Sequence, residues 1–370
     1  MSTATNGIKS VGYFDCPGGG QVVVRGDVAY IAHMKPPHGT TIVDVSDPAR
    51  PRKLAELSIP DGMHSHKVRV ENGIMLVNRE TYPPGPPAAD FAGGLGIYDV
   101  SRPSAPRPIG EWRARGMHRY TFDGRYVYAS PEIDGYLGNI VMVLDLADPT
   151  RPEEVGRWWM PGQWTAGGET PGWKGRAHRC HHPHRLGDRL YVSYWHGGFV
   201  ILDVADLAKP RHLSGLDWSP PFVCPTHTAL PIPFPLRGRR ILLVADEDVL
   251  HAGSGPPAFL WLVDVSDETR PVPFSSFQIA ELDGSPQPEY TGCHQPCEDV
   301  TGTEIPVAWF AHGLRIVDIA NPHAPREVAS FVPPVPGGAS RVSSNDVTVD
   351  GRGLLYLLDR SRGMHIVERV

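Results

Sequence analysis

One phrase recurs along the chain and limits its possible folds more than any other feature. Ile42-Val43-Asp44-Val45-Ser46-Asp47-Pro48, followed by Pro51-Arg52, returns as IYDVSRPSAPRP around Asp99 and VLDLADPTRPEE around Asp145. It returns again as ILDVADLAKPRH around Asp203, LVDVSDETRPVP around Asp264 and IVDIANPHAPRE around Asp318. The aspartates are 55, 46, 58, 61 and 54 residues apart, and a truncated copy, HIVERV, ends at Val370. In each copy an apolar strand ends in Asp, a turn rich in Asp and Pro follows, and a second strand such as RKLAEL or EVGRW leaves it. Two more strands joined by a short turn lie upstream, as in VVVRGDVAYIAH, YTFDGRYVYASP and HRLGDRLYVSYW. Four strands in a repeat of roughly 50 residues are the signature of a β-propeller blade.

The expected fold is therefore all-β: a seven-bladed propeller with four antiparallel strands per blade, forming a single domain over residues 1–370. The blades are expected at about 16–60, 61–115, 116–176, 177–222, 223–291, 292–340 and 341–370, the last completed by residues 8–15. The segment IKSVGYFDC resembles the outer strand that the last copy lacks. Pairing it there closes the ring and leaves no open sheet edge. The phrase (I/L)-V-D-(V/I/L)-(S/A) resembles the LVIVD-repeat family of predicted propellers. That resemblance implies the fold and leaves the function open, because a propeller is a scaffold for many activities. The repeated Asp is expected to brace its turn.

Composition narrows the function. The chain has 40 Gly and 39 Pro, which suit tight turns between short strands and disfavour long helices. Net charge is −6 and no basic block is present, which argues against nucleic acid as a partner. No apolar stretch reaches membrane-spanning length, and the N-terminus has no secretory pattern, so a cytoplasmic location is expected. Five cysteines, an odd number, make a disulfide framework improbable.

The residues that open each blade carry the chemistry. The first strand of a blade lines the channel, and the end of the second, antiparallel to it, lies on the same face. The segments that open the blades read Gly18-Gly19-Gly20, Met63-His64-Ser65-His66, Met117-His118-Arg119, His178-Arg179-Cys180-His181-His182, Cys224-Pro225-Thr226-His227, Cys293-His294 and Ser344-Asn345-Asp346. Five consecutive blades place histidine near one level, although the chain has only 17. Converging neutral imidazoles suit a transition metal. The expected ligands are His66, His118, His181 or His182, His227 and His294. The expected ion is Fe or Cu, with Zn or Mn as alternatives. The ends of the second strands add Glu80, Glu132 and Glu247, which can orient metal-bound imidazoles or act as a general base. His196 is a further catalytic candidate. Cys180, Cys224 and Cys293 read as small packing residues beside the axis. The triple glycine reads as a close approach of the chain to the axis. Long loops at 81–94, 160–177, 248–259 and 282–292 bring Tyr82, Trp164, Trp173 and Tyr290 as candidate pocket walls.

These residues point to a metal-dependent enzyme acting on a small molecule, foremost an oxidoreductase or oxygenase. The arrangement resembles the axial four-His iron of carotenoid-cleavage oxygenases and the axial histidines of the selenium-binding protein/methanethiol oxidase group. Both are resemblances of architecture. The same site suits a hydrolase or lyase in which the ion activates water. A binding scaffold without metal is the third possibility.

Overall fold

The computed structural model describes residues 4–83, 91–176, 178–219, 221–249, 257–281 and 290–370. The strands are antiparallel throughout, and the one helical element among the described residues is a 3-10 turn, Thr165–Gly167. No helix among them is long and apolar enough to cross a membrane.

The repeat folds as a four-stranded meander. Gly19–Arg25, Val28–His33, His38–Asp44 and Arg52–Ser58 pair in that order. The same order joins Gly116–Phe122, Tyr126–Glu132, Val141–Asp145 and Glu153–Trp158. It recurs from His178–Leu186 to Arg211–Leu216 and from Thr226–Pro231 to Val272–Phe277, two meanders linked by one residue pair, Trp195 with Thr226. In the second repeat the first strand is split into Met63–His64 and Val68–Glu71, both paired to Ile74–Thr81. In the sixth it shrinks to Gln295–Pro296. Ser344–Val349, Leu355–Asp359 and Arg362–Arg369 form the last group, and Ile8–Pro17 supplies its fourth strand, with Ile8 opposite Arg369 and Pro17 opposite Arg362. A short strand that the sequence did not suggest, Ala4–Asn6, pairs with the edge of Arg326–Val332.

The repeated Asp does the same work in every copy. Its Oδ1 accepts the backbone N–H two residues on, at 2.9 Å for Ser46 on Asp44, 2.9 Å for Ser101 on Asp99 and 3.0 Å for Ala205 on Asp203. Its second oxygen accepts from an arginine, eight residues later for Arg52, Arg107 and Arg211 at 2.6–2.9 Å. This is an Asx-type turn that also ties the outgoing strand to the incoming one.

The apolar cores lie between neighbouring sheets. Leu76, Leu95 and Ile97 pack on Met117, Val127 and Met142 of the next group. Glycine on the outer strand lets the following repeat's turn come close: a Cβ on Gly156 would lie 2.2 Å from Leu207 O. Neighbouring repeats thus meet through fully buried side chains and backbone-to-backbone contact, which fixes their relative position tightly enough to hold a site shared among them.

Candidate functional site

First strands from successive repeats converge on one cavity of about 450 Å³. Six of the seven are irregular at the end near this cavity. The pairing register shifts around Gly20, around His118 and Arg119, between His178 and His182, around His227 and around Asn345. The second repeat is interrupted at Ser65-His66-Lys67. A bulge takes a residue out of the in-out alternation and re-aims its side chain. That is how side chains from so many strands turn toward a common centre. Gly20 contributes none, since a Cβ there would meet His66 O at 2.6 Å.

The imidazoles form a continuous arc. Ring centroids are 3.8 Å apart for His64–His66, 5.2 Å for His66–His118, 4.8 Å for His118–His181, 4.4 Å for His181–His227 and 4.3 Å for His227–His294. Hydrogen bonds run around the arc and set the tautomers. His181 Nδ1–H donates to His227 O at 2.7 Å, His294 Nδ1–H donates to Asn345 O, and Asn345 Nδ2 donates to Gly20 O at 2.7 Å. His118 Nδ1–H donates to Glu80, 3.0 Å from both carboxylate oxygens. Each of these imidazoles therefore turns an Nε2 lone pair inward. The Nε2 atoms of His118 and His181 are 3.0 Å apart. Likewise, His294 Nε2 faces Glu247 Oε1 at 3.3 Å. Acceptors that face each other need a cation or a proton between them.

Electrostatics disfavours the proton. Burial holds His118 and His181 well below the ordinary histidine range, and Arg119 and Arg179 push both further down. Burial also brings His294 down to about 4, against the pull of Glu247. Glu247 is the reverse case: burial raises it, but His294, Arg360 and Arg119 outweigh burial and bring it to about 2. The site thus combines neutral imidazoles with a buried, ionised carboxylate, the protonation states that bind a metal ion. Two donors about 2.1 Å from one ion and at right angles to each other sit roughly 3.0 Å apart, the separation seen for His118 and His181. His181, His227 and Glu247, all buried, also place donor atoms within 4.8 Å of one another, as do His64, His66 and Glu80.

The remaining candidates divide. His66, Glu80, Glu132 and Glu247 line the cavity with the arc. His66 Nδ1 lies 3.4 Å from Glu80. Glu132 stands exposed at the mouth, where partial withdrawal from water and the charge of Glu80 raise its pKa. His227 Nε2 already accepts from Arg119 at 3.0 Å, so that lone pair is shared. His182 points away from the cavity into a second, deeper layer, where it lies 3.2 Å from His184, 3.4 Å from Arg119 and 3.7 Å from Glu298. Adjacent residues on this strand face opposite levels, so His181 is the one in the arc. His196 is outside the cavity lining and packs edge-on to Trp195. All five cysteines are buried free thiols, and none lines the cavity. Trp164 stacks with Tyr136 and meets Trp159 edge-on, and Trp173 stacks with His178, away from the cavity. Tyr82 covers His64 at 5.3 Å and Tyr290 packs on Phe310. The loop portions 84–90, 250–256 and 282–289 lie outside the described residues.

Sequence reasoning passed over several residues. His64 lines the cavity and its Nδ1–H donates to Met34 O, 2.7 Å away. Lys67 and Arg119 are buried beside the arc. Trp195, at the end of Arg189–Trp195, and Phe310, two residues past Glu304–Ala308, lie in the left-handed region, at φ 50° and 31°, which is costly for aromatic residues. Each packs its ring on an imidazole of the arc, Trp195 on His181 at 4.6 Å and Phe310 on His294 at 4.5 Å. The related strings SYWHGG and AWFAHGL carried that signal.

This geometry defines an all-β, propeller-like protein with a buried His/Glu pocket where its repeats converge. The chain carries LVIVD repeats: the sequence model of that repeat matches residues 19–55, 88–112, 186–214 and 306–332. A search of curated protein sequences gave no match. Among solved structures the chain is similar to the periplasmic gluconolactonase PpgL of Pseudomonas aeruginosa, with 12% identity and a TM-score of 0.64 over 89% of this chain and 88% of that one. It is also similar to a chain of the mitotic checkpoint complex, with 10% identity and a TM-score of 0.61 over 100% and 96%. A third likeness is Saccharomyces cerevisiae Sqt1, with 8% identity and a TM-score of 0.56 over 96% and 83%. At these identities the likeness concerns the fold alone.

Proposed function

We propose that the repeats are the seven blades of a propeller closed by the N-terminal strand, and that its axis holds one transition-metal ion in a cytoplasmic oxidoreductase for a small organic substrate. The observation that carries this reading is the pair of inward Nε2 lone pairs on His118 and His181, 3.0 Å apart, each fixed by a hydrogen bond at Nδ1. His227 and Glu247, whose donor atoms lie within 4.8 Å of one another and of one on His181, are the next donors, with His66 and His294 flanking them. Iron or copper suits mixed imidazole and carboxylate ligation; when bound, such an ion supplies open positions for O2 and substrate. Glu80 keeps His118 in the ligating tautomer, as carboxylates commonly do behind metal-bound histidine. Trp195 and Phe310 fix the planes of His181 and His294 and keep water from their outer faces.

A second reading keeps the ion and changes the chemistry to hydrolysis or a lyase step. The observation in its favour is Glu132, at the mouth, with a raised pKa and no ion pair within 4.0 Å among the described residues, as a general base requires. The gluconolactonase likeness adds a hydrolytic precedent on a similar fold.

Elemental analysis of the purified protein, without added metal, tests both. About one equivalent of Fe or Cu per chain, lost in His181→Ala and His118→Ala variants that still melt cooperatively, is the expected result. O2 uptake with aromatic and thiol substrates then follows. One equivalent of Zn or Mn would move the assignment to the second reading. A protein that neither contains nor takes up any of these ions would overturn both.

A further inference from the structure

More basic side chains than carboxylates line the cavity. Lys67, Arg115, Arg179 and Arg360 line it, against Glu80, Glu132 and Glu247. Two of the four cations have partners: Arg360 lies 3.8 Å from Glu247, and Arg115 lies 3.6 Å from Asp134. The other two have no carboxylate within 4.0 Å among the described residues. Lys67 is only 4% exposed, and among the described residues its Nζ has a single acceptor, Gly20 O at 3.3 Å, for three N–H donors. One of the five N–H groups of Arg179 donates to Asn139 Oδ1 at 3.2 Å, and the guanidinium lies 4.5 Å over the Trp195 ring. Its support is itself held. Asn139 Nδ2 donates to Ser130 O at 2.9 Å, which turns Oδ1 toward Arg179, and Trp195 is locked by its packing on His181. A planar fork of donors, stacked and largely unused, is built to receive a planar pair of oxygens.

We infer that Arg179 and Lys67 form an oxyanion subsite and that the cavity's ligand is a small organic carboxylate, its carboxylate on Arg179 and its remainder directed at His118 and His181. This deepens the function proposed above by naming a substrate class for the same pocket. The charge argument itself needs no metal. A phosphate presents the same anionic oxygens, and the planar stacked fork favours the carboxylate.

Calorimetric titration of metal-stripped protein at low salt provides the test, with benzoate, uncharged benzamide and inorganic phosphate as probes. Benzoate should bind at least tenfold more tightly than benzamide. Arg179→Gln and Lys67→Met should each weaken benzoate at least tenfold, and Arg179→Lys should keep part of the affinity. Thermal melts establish that each variant is folded. Equal binding of benzoate and benzamide, or an Arg179→Gln variant that binds benzoate like the wild type, would overturn the subsite. Phosphate binding more tightly than benzoate would overturn the carboxylate assignment. Elemental analysis of the same variants separates this inference from the metal: bound metal without benzoate binding defeats the subsite alone, and benzoate binding to a chain that takes up no metal defeats the metal alone.

Discussion

His118 shows at the scale of one residue how the fold prepares a ligand. Its Nδ1–H is held by Glu80, so its Nε2 is committed to the cavity before anything binds. Replacing Glu80 by Gln keeps an acceptor but removes the charge that raises imidazole basicity. Metal affinity should fall by about 10–100-fold, read by competition with a calibrated chelator; unchanged affinity would show that Glu80 does not orient a ligand. Elsewhere, buried imidazoles govern stability instead. Burial takes His365, packed on Tyr13 and Phe331, down to about 4, and takes His33 to the same value. An unfolded histidine titrates near 6.5, so the unfolded chain takes up protons that the folded one refuses. The stabilisation is complete above about pH 6.5, declines as the pH falls below it, and is gone by about pH 4, with a loss of about 2 kcal/mol per group at pH 5. His365→Phe removes one such group without stranding a hydrogen bond. Its urea midpoint should therefore drop less between pH 8 and pH 5 than that of the wild type; an equal drop would contradict the assignment.

At the scale of the strand, regular and irregular features part company, and so does what the sequence reveals. The repeated Asp is legible because its partner is local: an N–H two residues on and, in four copies, an arginine eight residues on. The histidine arc is legible as a column of like residues in a repeat. The bulges that aim it are not, because a register shift depends on the partner strand as well as on the bulged one. Hence His181 and His182 could not be separated by sequence, and His196, a catalytic candidate by sequence, packs outside the cavity. Arg119 and Lys67 were invisible for a further reason: a buried cation is defined by carboxylates and carbonyls from distant repeats. The tight contact between repeats gives an element-scale prediction. Gly156→Ala would set a Cβ 2.2 Å from Leu207 O, in backbone that has no flexible end to move aside. It should cost about 1–3 kcal/mol, measured by urea unfolding; a neutral result would mean that the neighbouring turn is free to shift.

At the scale of the molecule, the two ends of the chain are tied into one sheet. Ile8–Pro17 pairs along Arg362–Arg369, Ile8 and Cys16 are buried in two different cores, and Arg362 forms paired hydrogen bonds with Asp15 at 2.6 Å. Ala4–Asn6 covers a different edge, that of Arg326–Val332. Two truncations therefore separate the contributions. Removal of residues 1–6 uncovers, among the described residues, a three-residue stretch of the Arg326–Val332 edge and leaves the last sheet with four strands; so short an edge should leave the association state unchanged and the melting temperature within a few degrees of the wild type. Removal of residues 1–17 takes away a whole strand, opens the Arg362–Arg369 edge and exposes apolar surface in both cores. A bared strand edge is a template for pairing with another chain, so this variant should melt far lower and form concentration-dependent oligomers by light scattering. A peptide spanning residues 4–17 should restore the association state of the wild type, because the vacated edge retains its own hydrogen-bonding register. The cavity is lined by residues from the first repeat, at Met34, to the last, at Asn345 and Arg360. If the proposed ring and metal are right, loss of this strand should also lower metal uptake, in proportion to the oligomer formed. A chain lacking residues 1–17 that melts and associates like the wild type would contradict the proposed closure by this strand.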